Sequence, residues 1–116
     1  MQLEGLIKFI KKEDKRIREH YGNYKDEEKR ILVRTVKLAE ELGELCDEVL
    51  SFNSMQRREK LEKHDAENLS DEFADVLITT LLLAEVMKVD VEKALKQKIK
   101  KIDRRYKAKT KNETNY

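Results

Sequence analysis

Ser70 to Val89 (SDEFADVLITTLLLAEVMKV) constrains this chain more than any other stretch. Twelve of the seventeen residues from Phe73 to Val89 are apolar, and they do not keep to one stripe. At about 100° per residue, Phe73, Leu77, Leu81 and Ala84 point one way and Ile78, Leu82, Leu83 and Val86 another. A helix that is apolar nearly all round must be covered nearly all round. Yet its start carries Glu72 and Asp75, three apart and so stacked on one face. Burying carboxylates costs several kcal/mol each unless a cation compensates them. One explanation is capping: Ser70 as N-cap, with Asp71 and Glu72 at the positive end of the helix dipole. That leaves out Asp75, a turn further in. A metal site is the other explanation, and the pair alone does not choose between them.

With 116 residues the chain has the length of one domain. Pro is absent, Gly occurs three times, and Lys, Glu, Leu and Arg dominate, which favours helices throughout. Charged residues make up 43%, but 26 basic side chains nearly cancel 24 acidic ones, so net charge names no partner. No uncharged apolar run is long enough for a membrane span, and the N-terminus lacks a signal-peptide pattern. Cys46 is single, which excludes an intramolecular disulfide and leaves no Cys/His cluster for zinc. The expectation is a soluble, cytoplasmic, all-α protein.

From the N-terminus, Leu3, Leu6, Ile7, Ile10, Ile17 and Tyr21 recur at three-and-four spacing and predict an amphipathic first helix, closed by Gly22-Asn23. His20, Tyr21 and Tyr24 read as packing at its end. A second helix is expected from near Asp26 to about Phe52, roughly 40 Å long. Leu38, Leu42, Leu45, Val49 and Phe52 form its apolar face. Relative to Glu41, Glu44 lies at about −60° and Glu48 at about −20°, bordering that face, while Glu40 and Asp47 point outward. Gly43 costs the helix about 0.5–1 kcal/mol against Ala, which suggests close approach of a backbone or ligand beside Glu44, or simple tolerance. Asn53 to Leu69 is polar and expected to be a loop or a poorly anchored helical turn, with His64 a solvated side chain. Asp90 is positioned to cap a last helix, Val91 to Tyr106, with Val91, Leu95, Ile99, Ile102 and Tyr106 inward and most other positions basic. The expected domain is 1–106, with 107–116 a polar, disordered C-terminal tail.

The chain thus carries E-x-x-E (Glu41, Glu44) and E-x-x-D (Glu72, Asp75) on two separate helices. Packed antiparallel, these helices would bring four carboxylates together. Two such charges about 5 Å apart repel by roughly 3 kcal/mol at an effective dielectric of 20, so the group needs cations or protons. Oxygen ligands without thiol or imidazole select a hard ion, Mg²⁺ or Mn²⁺. Such an ion completes its shell with phosphates, which the basic last helix could also contact. That combination points to hydrolysis of a phosphate ester or anhydride by a metal-activated water.

EELGEL (Glu40 to Leu45), EFADVL (Glu72 to Leu77) and VDVEKALKQKIKKIDRRY together resemble the MazG-like branch of the all-α nucleoside triphosphate pyrophosphohydrolases. The resemblance covers about Val36 to Tyr106. It implies a four-helix, all-α bundle completed by homodimerisation, as a dimer or dimer of dimers. It also implies Mg²⁺-dependent cleavage of a nucleoside triphosphate to monophosphate and pyrophosphate. Carried over position by position, Glu41, Glu44, Glu72 and Asp75 match metal ligands, with Glu41 or Glu44 handling the attacking water. Lys98, Lys101, Arg104 and Arg105 match the basic positions that would bind substrate phosphates. Ile102 stands where many relatives have Asn, and Phe52 is only the nearest aromatic after the first motif, so base specificity does not transfer. The competing readings are a non-catalytic helical protein that binds acidic ligands through its last helix, and a phosphoribosyl-ATP pyrophosphohydrolase-like enzyme. Neither a membrane nor a specific nucleic acid is expected as partner.

Overall fold

The computed structural model describes the backbone of residues 1–21, 26–52 and 66–114, with side chains to residue 107 and from residue 68 in the last segment. These residues form four helices: α1 (Leu3–His20), α2 (Glu27–Phe52), α3 (Ala66–Val86) and α4 (Val91–Thr114). The Gly22-Asn23 break, Tyr24, His64 and the loop expected up to residue 65 lie outside the described residues. No described helix is long and apolar enough to cross a membrane.

Local chemistry sets the helix ends. Asp26 caps α2, its Oδ1 accepting from the backbone N–H of Glu28 at 2.9 Å and of Lys29 at 3.4 Å. Asp90 caps α4 as expected, accepting the Lys93 N–H at 3.1 Å. Between them α3 closes in a Schellman turn. Val89 N–H donates to Ala84 O and Lys88 N–H to Glu85 O, while Lys88 adopts the left-handed backbone at φ 57°. The start of α3 differs from expectation: helix begins at Ala66, so Ser70 lies inside it and is not its N-cap. Ala66, Glu67 and Leu69 are good helix formers and carry the helix back a turn. Glu72 and Asp75 therefore stand well beyond the first turn, where the dipole explains neither.

The apolar α3 is the centre, with α1 and α2 packed against it. Ile10 and Val86 are the only buried apolar side chains among the described residues. Three helices are joined by a buried ion pair that no sequence pattern announced. Arg34 of α2, 4% exposed, places Nη2 2.7 Å from Asp14 Oδ1 on α1 and donates from Nη1 to Leu82 O on α3 at 2.9 Å. Arg18 Nε donates to the other Asp14 oxygen at 3.1 Å. At the rim, Lys11 on α1 pairs with Glu85 on α3 at 3.3 Å.

Two sequence expectations change here. The helix expected to end at Tyr106 continues to Thr114, through a segment with neither Gly nor Pro to stop it. Its expected inward face is not inward within this chain. Leu95, Ile99, Ile102 and Tyr106 are 38–67% exposed, because α4 packs along neither α1, α2 nor α3. On α3, Phe73 and Leu77 are likewise half or more exposed, so the central helix is covered on only part of its circumference.

Candidate active site

The seam between α2 and α3 brings the two acidic motifs together. Glu41 is buried, Glu72 is half-buried and Asp75 is exposed at the mouth, and one carboxylate oxygen from each lies within 4.8 Å of the others. Glu44, a turn along α2, stands outside that triplet but is close enough to Glu41 and Glu72 to interact with both electrostatically. Three of the four expected acids converge, and the fourth adjoins them.

Electrostatics registers the crowding. The charge of Glu41 pushes the Glu44 carboxyl above the ordinary glutamate value, assisted by some desolvation and by the hydrogen bond that a protonated Glu44 can make to Glu41. Burial raises Glu72 first, followed by the charges of Glu44, Asp75, Glu41 and Glu48. Burial likewise raises Asp75, with Glu41 and Asp71 adding to it and Lys37 opposing. Lys37 is the one described cation in direct contact with the group. Its Nζ sits 3.2 Å from Glu41 Oε1 and 3.7 Å from Glu40 Oε2, and the Glu41 hydrogen bond holds the ammonium form above its usual range.

One lysine cannot satisfy the cluster. Glu41 Oε2 and Glu72 Oε2 are buried without a hydrogen-bond partner among the described residues. Buried, unpartnered carboxylate oxygens are costly, and a set built only from such oxygens suits a hard divalent cation. The donor set fits the metal that the two motifs call for.

The family model described as MazG nucleotide pyrophosphohydrolase domain matches residues 31–110, from α2 through α4. The chain belongs to the MazG family. Among curated proteins and among solved structures, none matches it. Within the MazG match fall all four acids and the basic positions Lys98, Lys101, Arg104 and Arg105. Those basic side chains do not join the acids in this chain; they stand exposed along α4, which packs on neither acidic helix. A cleft of about 570 Å³ between α1 and the α3–α4 turn, lined by Ile7, Ile10, Leu81 and Val91 and by Glu85 and Asp90 among others, contains none of Glu41, Glu44, Glu72 and Asp75. Gly43, expected to mark a close approach or simple tolerance, has nothing among the described residues within 4 Å of the position its Cβ would take, so no described neighbour requires a glycine there.

Glu48 is not among the four acids that the two motifs mark. It is as buried as Glu41 and its charge reaches Glu72. The signal was present in the spacing, since Glu48 stands closer in angle to Glu41 than Glu44 does.

Proposed function

We propose that the chain is a Mg²⁺-dependent nucleoside triphosphate pyrophosphohydrolase, splitting its substrate between the α- and β-phosphates to give monophosphate and pyrophosphate. The observation that carries this reading is the convergence of Glu41, Glu72 and Asp75 within 4.8 Å across two helices of a MazG-family chain. Glu41, Glu72 and Asp75 would hold the cation, with Glu44 beside them. A divalent cation bound there supplies Lewis-acid polarisation of a phosphate and a lowered pKa for the attacking water, and Mn²⁺ could replace Mg²⁺.

The residues' own parts follow from their surroundings. Lys37 fixes Glu41 from the solvent side and stays protonated at neutral pH. Glu44 is exposed, and Glu41 raises its affinity for a proton, which moves a carboxylate in the direction a general base at neutral pH requires. It is the residue suited to orient the attacking water and take its proton. Lys98, Lys101, Arg104 and Arg105 would bind the triphosphate. Because α4 stands away from the acids of its own chain, these cations serve the acidic seam of a second copy, in a homodimer or a dimer of dimers.

A panel of canonical and modified nucleoside triphosphates, scored for pyrophosphate against orthophosphate with Mg²⁺ and with EDTA, tests the reading. Pyrophosphate should appear from at least one substrate and only with the cation. Glu44→Gln and Asp75→Asn should each lower turnover about 100-fold or more, as loss of a group at the metal does. Undiminished turnover in both variants would reject the site.

A further inference from the structure

Leu32, Val36, Ala39, Gly43, Cys46 and Leu50 are all exposed on α2, about half a turn round the helix from the buried Arg34 and Glu41. Their spacing alternates four and three, the repeat by which one helix seats along another. On α4, Leu95, Ile99, Ile102 and Tyr106 form a second exposed row with the same repeat, and α4 packs along no helix of its own chain. Each row is bordered on one side by a pair of like charges seven residues apart. Glu40 and Asp47 follow Ala39 and Cys46 on α2, whereas Lys98 and Arg105 precede Ile99 and Tyr106 on α4.

We infer that α4 of one copy docks on the outer row of α2 of a second copy, the two helices parallel, with Lys98 facing Glu40 and Arg105 facing Asp47. This rests on the reading above in which α4 reaches a second copy, and it supplies the surface that receives it. In parallel helices the residue before one row position faces the residue after a row position on the partner, and charges there set orientation and partner choice. Both pairs being seven apart, a single register satisfies both contacts. That register stacks Leu95 on Leu32, Ile99 on Val36, Ile102 on Ala39 and Tyr106 on Gly43. Bulk falls along α2 from leucine to glycine and rises along α4 from leucine to tyrosine, so the largest side chain meets the residue that has none. Gly43 has that space open, with nothing described within 4 Å of where its Cβ would stand. Antiparallel docking would set Lys98 and Arg105 against Leu42 and Val49 instead. A second α2 is the poorer occupant, since it offers no cation beside its own row. Lys101 lies beyond Lys98 on the same side of α4 and is carried towards Glu44, at the edge of the acidic triplet.

Sedimentation velocity on the full chain over a concentration series tests the docking through the dissociation constant. One variant carries Glu40→Lys with Asp47→Lys, the other Lys98→Glu with Arg105→Glu. Each alone sets like charges together and should raise the constant about tenfold or more. Mixed in equal amounts, the two should associate within about threefold of the parent, because each α4 then meets a partner of opposite charge. If either double variant does not fold, Glu40→Lys and Lys98→Glu carry the test singly. Gly43→Leu should also raise the constant about tenfold by filling the place of Tyr106, even though leucine is the better helix former and nothing described crowds it. Lys100→Glu, on the far side of α4 from the row, should change it less than about threefold. Absence of recovery on mixing overturns the proposal, and loss confined to the α2 variant would make a second α2 the occupant. Unchanged constants in both variants overturn it as well, as does a parent that stays monomeric throughout. The reaction fails separately: a parent that associates as described yet releases no pyrophosphate leaves the docking standing and removes the proposed activity.

Discussion

Asp75 stands close enough to Glu41 and Glu72 for its charge to oppose folding, because the unfolded chain lets the three separate. Asp75→Asn should therefore melt higher than the parent in EDTA. The rise is modest, about 2–4 °C, since the group is exposed and water screens it. If the acids hold a cation as proposed, Mg²⁺ should raise the parent's melting temperature by mass action, far more than that of the variant. The pH dependence has the same origin. Glu44, Glu72 and Asp75 bind protons more tightly when folded than at the ordinary values of 4.5 for Glu and 3.8 for Asp. Between those values and the raised ones the native state holds more protons than the unfolded state, so stability falls as pH rises through that window. Metal-free protein should melt higher near pH 5 than at pH 7.5, and Mg²⁺ should flatten the difference. Had the acids been ordinary caps or satisfied polar contacts, Asp75→Asn would melt lower and Mg²⁺ would change little.

Among the elements, the Asp14–Arg34 pair and the Lys88 turn make opposite demands on substitution. Arg34→Met leaves Asp14 buried with only Arg18 beside it and should cost about 2–4 kcal/mol in denaturant melts. Adding Asp14→Leu should recover most of that loss, because an apolar pair of similar volume needs no desolvation to be overcome. Lys88→Gly should instead stabilise, by up to about 1 kcal/mol, since glycine adopts φ 57° without Cβ strain. A destabilised Lys88→Gly protein would refute the reading of that turn. These elements also mark what the sequence could tell. The spacing of Glu41, Glu44, Glu72 and Asp75 put two acids on one face of each helix, and two-helix packing was enough to bring three of them together. Asp90 was legible as a cap because capping is local. Arg34 was not legible: one arginine on a helix looks like a solvated charge, and only the crossing of three helices gives it Asp14 and Leu82 as partners. Ser70 misled because its own preference for caps lost to the helix-forming residues before it.

For the whole molecule, the periodicity of Val91, Leu95, Ile99, Ile102 and Tyr106 announced a buried face without saying whose surface would cover it. The chain extends over 63 × 43 × 27 Å, with α4 packed along none of its own neighbours. A second apolar row, Leu32, Val36, Ala39, Cys46 and Leu50, lies exposed along α2 at helical spacing, with Gly43 in line and no described residue against that glycine. Phe73 and Leu77 of α3 are open as well. That much exposed apolar surface exceeds what monomers commonly tolerate, and a lone charged helix gains little stability from its own propensity. Both costs are removed if a second copy covers α4. Light scattering at micromolar concentration should then give at least twice the chain mass of 13.8 kDa. Helicity should also be coupled to association, with the circular dichroism signal at 222 nm weakening on dilution as α4 loses its cover. Ile99→Glu places a charge in the middle of the α4 stripe and should shift both curves to higher concentration. It should also lower turnover at fixed low enzyme concentration, because Lys98, Lys101, Arg104 and Arg105 would no longer be held over the partner's acids. A stable monomer of 13.8 kDa with full helicity and undiminished turnover would show that α4 needs no second copy and that its cations act elsewhere.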